Sequence, residues 1–334
     1  MPGAEGSVHL GAHRHVRFCR ETAFGECPAV PTWFSCPIIE NGFTLKATSP
    51  RYWPNTNYGG DFRRHVAVHH QLEVTGDMLT LLWPELTEHL LRMCLDRDDD
   101  EDVYSHCLDH YTPADPRRYL GAVVERMTLA FDGTGAGDIR LTHTLRAKLE
   151  EENDALVAGD FDYSAVSAVP FMFASAEFRR NGHLIADLET GTITVENNVL
   201  AGPKRRTTGI TLGTHAHLLA QQRAISFESE ELNNDDLHNE AIRDGGYFSL
   251  DVRLHHPDGH YAQIQLPRMV IEESAEDGTP DQIAKQSPRF EALAGPSGDD
   301  IIWGVDLGPA TTTLAPITTT AAPTTTAAAT TTGA

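Results

Sequence analysis

The sequence predicts a mainly β protein, a β-rich α+β chain with one helix in each half and a disordered C-terminal tail. Three observations predict it. Apolar and polar residues alternate in several segments, the period-two mark of half-buried strands. Clusters of Gly, Pro, Asn and Asp separate those segments, as turn chemistry requires. Only two stretches carry helical spacing with capping signals at their ends.

The clearest hairpin is YFSLDVRLHHPDGHYAQIQLPRMVIEE, Tyr247 to Glu273. Phe248, Leu250, Val252 and Leu254 alternate with Ser249, Asp251 and Arg253. Pro257, Asp258 and Gly259 supply a pre-set φ, a local acceptor and freedom for positive φ. Beyond them Ala262, Ile264 and Leu266 resume the alternation until Pro267 interrupts the ladder. A second hairpin surrounds DGTGAGD, with Met127, Leu129 and Phe131 leading in and Ile139, Leu141, Leu145 and Leu149 leading out. The last three also fit helical i, i+4 spacing. Further strands are expected at Phe43 to Thr48, Val66 to Thr75, Gly191 to Asn197, Gly209 to Gly213 and Ile225 to Glu228.

Of the two helices, PELTEHLLRMCLDR opens with Pro84 at the first helical position and sets Leu86, Leu90, Leu91 and Cys94 along one stripe. NNDDLHNEAIRDGG offers Asn or Asp caps and stops at Gly245 and Gly246. One helix falls in each half of the chain. RRYLGAVVERM from Arg117 also resembles RRNGHLIADL from Arg179, and RRHVAVHHQLEVTG from Arg63 resembles RRTTGITLG from Arg205, a weak internal duplication. The expected organisation is an N-terminal arm (1–28), a first β domain (29–168), a second (169–275), a C-terminal extension (276–308) and a tail (309–334). That tail, PATTTLAPITTTAAPTTTAAATTTGA, has no charge and no aromatic, so it lacks the apolar surface to offset its ordering entropy.

A formal net charge of −22, from 26 basic against 48 acidic residues, points away from tight nucleic-acid binding, which draws on Lys and Arg at phosphates. There is no apolar run near twenty residues and no apolar leader at the N-terminus, so neither a membrane span nor a secretory signal is expected. Cys19, Cys27, Cys36, Cys94 and Cys107 form an odd set without a Cys-x-x-Cys, which reads as reduced thiols. A zinc set of His13, His15, Cys19 and Cys27 has the right ligand types but no standard spacing, so no metal is assigned.

Other chemistry is set aside on similar grounds. DRDDDEDVY places Asp96, Asp98 and Asp100 like a calcium loop, but the sixth position is Glu101 and the twelfth is Cys107. Gly133 to Gly137 are too short for a dinucleotide fingerprint. The pairs His69/His70, His215/His217 and His255/His256 lack a carboxylate at metal-site spacing, although His215 and His217 would share a strand face. No nucleophile elbow, P-loop or His-Glu-x-x-His occurs, so the expectation is a non-enzyme without cofactors.

Four passages, in this order, resemble the tail tube proteins (major tail proteins) of long-tailed bacteriophages: LEVTGDMLTLLWPELTEHLLRMCL, RRYLGAVVERMTLAF, GHLIADLETGTITVENNVL with its paired Asn197 and Asn198, and GGYFSLDVRLHHPDGHYAQIQLPRMVI. Together they span Thr32 to Glu273. The resemblance implies two tail-tube-like sandwiches or barrels in a virion structural protein. Its copies would self-associate as rings, either trimers with pseudo-sixfold symmetry or hexamers, stacked into a tube. Other tail proteins would sit at the tube ends, and DNA would pass through the lumen during ejection without specific binding. Location in the virion tail, after assembly in a host cytoplasm, follows from the same resemblance.

From the residues themselves, the segment Ser49 to Arg64 reads as a long inter-strand loop rich in Pro, Asn, Gly and aromatics. Two readings stand for it: a subunit interface with Trp53 and Tyr58 as anchors and Arg63 and Arg64 beside them, or both rings packed on their own domain. Carboxylates facing the channel would repel phosphate. The rival reading is a monomeric β-sandwich adhesin or carbohydrate-binding protein on a Thr-rich stalk, for which a leader and paired cysteines would speak.

Overall fold

In the computed structural model the described residues are 14–48, 51–52, 68–69, 73–97, 103–133, 137–167, 169–201, 204–205, 214–215, 218–219, 223–232, 246–277, 285–295 and 298–306. The chain begins with β1 (His15–Arg20), β2 (Phe34–Cys36), β3 (Ile38–Phe43) and β4 (Lys46–Thr48). The short β5 (Arg51–Tyr52) and β6 (Val68–His69) pair with each other. Next come β7 (Glu73–Leu81), α1 (Pro84–Leu95), β8 (His106–Tyr111), β9 (Arg117–Asp132), β10 (Ile139–Ala147) and β11 (Leu149–Glu152). The second half holds β12 (Ala176–Arg180), β13 (His183–Leu184), β14 (Leu188–Glu196), β15 (Leu200–Ala201), β16 (Lys204–Arg205), β17 (Thr214–His215) and β18 (Leu218–Leu219). β19 (Ala224–Leu232), β20 (Phe248–His255), β21 (Tyr261–Asp277), β22 (Lys285–Ala292) and β23 (Ile302–Asp306) complete it. The protein is thus mainly β, and α1 is the one α-helix among the described residues.

Two long strands organise the antiparallel sheet. β9 serves two sets of partners. Its first residues, Arg117 to Ala122, lie between β8 and β11, and β1 and β2 follow beyond β8. From Val123 to Asp132 it lies between β10 and β14. The bend falls at Gly121, whose φ of +63° is the left-handed region that a side chain disfavours. A Cβ there would also sit 2.8 Å from the Lys148 side chain.

β21 behaves the same way. Tyr261 to Gln265 lie between β20 and β23, whereas Met269 to Asp277 pair with β22. Sequence reasoning ends the ladder at Pro267. In the structure the strand runs on and only its register shifts, from Leu250 opposite Leu266 to Phe248 opposite Met269. A proline cannot donate to the ladder, so a bulge absorbs it and the strand changes partner there.

The other expected hairpin is β9–β10. Leu141 and Leu145 are fully buried on β10, since a four-residue step returns to the same face in a strand as nearly as in a helix. The expected strands near Gly191, Ile225 and Lys46 are β14, β19 and β4. The expected helix 233–245, the strand at Gly209 to Gly213 and the Thr-rich tail lie outside the described residues. Arg117 and Arg118 open β9, whereas Arg179 and Arg180 close β12 before a turn at Asn181 and Gly182, so the similarity of those segments does not extend to their placement.

α1 forms where Pro84 pre-sets the first turn, and Arg92 bonds Glu88 one turn back at 2.6 Å. Its stripe of Leu86, Leu90, Leu91 and Cys94 is buried, and it packs against β9, β21 and β23. Aromatic pairs fill the core: Phe131 lies edge-on to Phe178 at 4.9 Å, and Phe227 stacks on its ladder partner Phe290 at 5.9 Å. Under α1, His143 is fully buried with Nε2 3.1 Å from the Leu90 carbonyl. Burial holds its imidazole neutral, pushed down to about 4. His110, against Phe43 at 4.5 Å, is likewise pushed down by burial to about 4.

Candidate channel and assembly surface

The alternation that builds the core leaves a second face on β10, β9, β14, β19 and β22. Ile139, Leu141, Leu145, Met127, Leu129, Phe131, Ile193, Val195, Ile225, Phe227 and Phe290 point into the core. Their neighbours point the other way and are half-exposed or exposed. The registers align them in rows across five strands. One row is Thr142, Thr128, Thr194, Ser226 and Glu291; the next is Arg140, Ala130, Thr192, Glu228 and Arg289. A third brings Thr144, Arg126 and Glu196 side by side. α1 packs on the opposite, buried side, so this face is left to short hydroxyls and charges.

The charges on it lean acidic. Asp132, Glu196, Glu228, Glu230 and Glu291 stand with Arg126, Arg140, Arg146 and Arg289. At the margins Glu125 binds Arg146 at 3.1 Å, and Arg289 is shared by Glu272 at 3.1 Å and Glu228 at 3.4 Å. Exposed pairs of this kind add little stability. They do hold the guanidinium groups of Arg146 and Arg289 against carboxylates.

Asn197 and Asn198 fix the edge of this face. Asn197 is fully buried, and its Nδ2 donates to the carbonyls of Cys94 and Val124, each at 3.0 Å. Its Oδ1 accepts from Arg97 at 3.0 Å. It therefore ties the C-terminal end of α1 to β9. Asn198 takes φ +47°, a left-handed turn that asparagine tolerates, and ends the strand. Asn197→Ala strips donors from two buried carbonyls and is expected to cost about 1–3 kcal/mol in urea unfolding; a loss below that range would mean those carbonyls find water.

Beneath the other end of β9 lies a buried ionic knot. Asp109 is fully buried and accepts from Arg17 at 2.8 and 3.0 Å and from Arg118 at 2.7 and 3.0 Å. Arg17 also stacks over Trp33 at 4.4 Å. The Asp109 carboxylate pushes the Arg118 guanidinium up, so it stays charged. Sequence reasoning missed this knot, because Arg17, Asp109 and Arg118 come from three strands whose register only folding sets.

The four residues expected at an interface, Trp53, Tyr58, Arg63 and Arg64, lie outside the described residues. So do His13, His70, His217 and most of the acidic loop after Arg97. The set weighed and set aside for zinc is placed only in part. His15 turns to aromatic neighbours, 5.3 Å from Phe161 and 3.1 Å from the Tyr163 hydroxyl, while Cys19 and Cys27 meet Cys107 instead. Cys107 stands opposite Cys19 across the β1–β8 ladder, a register invisible in sequence spacing.

The model of the phage tail tube protein family matches residues 95–228. The chain resembles phage tail tube proteins. The matched span holds β8 to β18 and the first part of β19, and so includes β9, β10 and β14, the centre of the open face. No curated protein matches the chain at a significant level. The family supports a structural part in a virion tail, self-assembly into a tube, and a role other than catalysis. No helix among the described residues is long and apolar enough to cross a membrane.

Proposed function

We propose that this tail tube protein polymerises as stacked rings and that DNA passes through the tube during ejection, along the open face of β10, β9, β14, β19 and β22. The observation that carries the reading is the aligned hydroxyl and carboxylate rows of that face. A channel wall must stay hydrated and must not grip a polyanion. Short hydroxyls hold water, carboxylates repel phosphate, and carboxylate partners occupy Arg146 and Arg289. The net charge of −22 acts in the same direction.

Assembly would draw on the sheet's edges and on loops reaching to neighbours, with Trp53, Tyr58, Arg63 and Arg64 as interface residues. If residues 29–168 and 169–275 are two tail-tube-like units, three copies close a ring of six similar units; otherwise six copies do. End-on images count that symmetry directly.

A cysteine introduced at Thr128, in the middle row, tests the assignment of the face. A bulky maleimide is expected to label Thr128→Cys on the free subunit and to leave it untouched in assembled tubes, with negative stain verifying the tubes. Equal labelling in both would place the face on the outside and end this reading. In whole particles built with this subunit, Glu228→Lys with Glu291→Lys is expected to slow DNA ejection, and more so as ionic strength falls, because screening of the new cations is then weakest.

A further inference from the structure

Three thiols meet beside the buried ionic knot. Cys19 comes from β1, Cys27 from the loop after it, and Cys107 from β8, and their sulfurs all lie within 4.8 Å of one another. Tetrahedral zinc with Zn–S bonds of about 2.3 Å needs sulfurs roughly 3.8 Å apart, so small side-chain rotations suffice. Cys19 and Cys107 are buried, at 1% and 0% exposure, yet belong to neither apolar cluster of the protein. Hydrophobic packing therefore does not account for them. Cys27 is half-exposed and leaves one side of the cluster open to solvent.

We propose that Cys19, Cys27 and Cys107 bind one thiophilic metal ion of the zinc type, with a solvent molecule in the fourth position. Binding exchanges three thiol protons for the dication and changes no oxidation state: three Cys–SH and Zn²⁺ give a tris-thiolate zinc group of charge −1 and three protons to solvent. The surroundings carry the opposite charge. Arg17, Arg118 and Asp109 together amount to +1, and Arg118 acts electrostatically on both Cys27 and Cys107. Burial pushes Cys27 up to about 12, and Cys107 is also pushed up, first by its bond with Cys19. Site formation would pin the loop after β1 to β8, beside the strand end where β9 bends.

The test uses the full-length chain, purified reduced and stripped with chelator, then titrated with Co²⁺. One Co²⁺ per chain is expected, with thiolate-to-cobalt charge transfer and the visible bands of tetrahedral geometry. Cys27→Ser is expected to weaken binding by at least about tenfold, the scale on which even an outer partner of a metal ligand registers. Cys94→Ala, at the other thiol beside Asn197, is expected to leave the spectrum unchanged. Circular dichroism of Cys27→Ser separates lost ligation from lost folding, and the half-exposed position favours a folded variant. No charge-transfer band on reduced protein, unchanged binding in Cys27→Ser, or a Cys19–Cys107 disulfide in protein isolated without reductant would each overturn the proposal.

Discussion

Asp109→Ala is expected to destabilise the unassembled subunit by about 3–5 kcal/mol, read from the urea midpoint at constant m-value. The carboxylate is fully buried and accepts four guanidinium bonds from Arg17 and Arg118. Removing it leaves two cations facing each other with no counter-charge, and Arg17 is itself only 12% exposed. The cost comes from the abandoned charges more than from any net worth of the intact knot. A triple replacement by Leu or Met of Arg17, Asp109 and Arg118 should therefore recover much of the loss. A change below about 1 kcal/mol in Asp109→Ala would mean that water reaches the arginines.

Acid is expected to unfold the subunit through its buried histidines. His143 and His110 titrate near 6.5 in an unfolded chain and are held down to about 4 in the fold by burial. Between those values the unfolded state binds protons that the folded state refuses. The contribution of these two rings is thus complete above pH 6.5, falls as pH drops through the window, and levels off below about 4, while His106, pushed down by burial to about 3, extends the loss further. Each histidine contributes a slope of about 1.4 kcal/mol per pH unit, so the window removes about 3 kcal/mol per side chain. His143→Met should flatten the slope by one histidine's share, at the expense of the bond to the Leu90 carbonyl. A His143 ring found by NMR to titrate near 6.5 in the folded protein would refute the argument.

Much of this fold was legible because strand and helix periods are local. The alternation around Leu250 and Leu266, the turn at Pro257 to Gly259 and the stripe of α1 are each set within about ten residues of chain. The family resemblance was also legible, and two of its four passages, those from Arg117 and from Gly182, fall within the residues that the family model matches. Pairing partners were not. Nothing in the spacing of Cys19, Cys27 and Cys107 announces that β8 lies beside β1, and nothing marks Thr128 as the neighbour of both Thr142 and Thr194. Registers between distant strands are settled by which apolar faces close on one another, a property of the whole core. The Pro267 bulge was read as an ending for the same reason: its continuation depends on β22, some twenty residues later.

β9 and β21 each lend one end to one set of neighbours and the other end to another. A protein jointed in this way has no seam along which it can come apart in stages, because freeing either half of such a strand drags on the other. Amide exchange in β9 should accordingly follow global unfolding rather than local fraying. In the proposed tube wall, such indivisibility would matter more than the strength of any one bond.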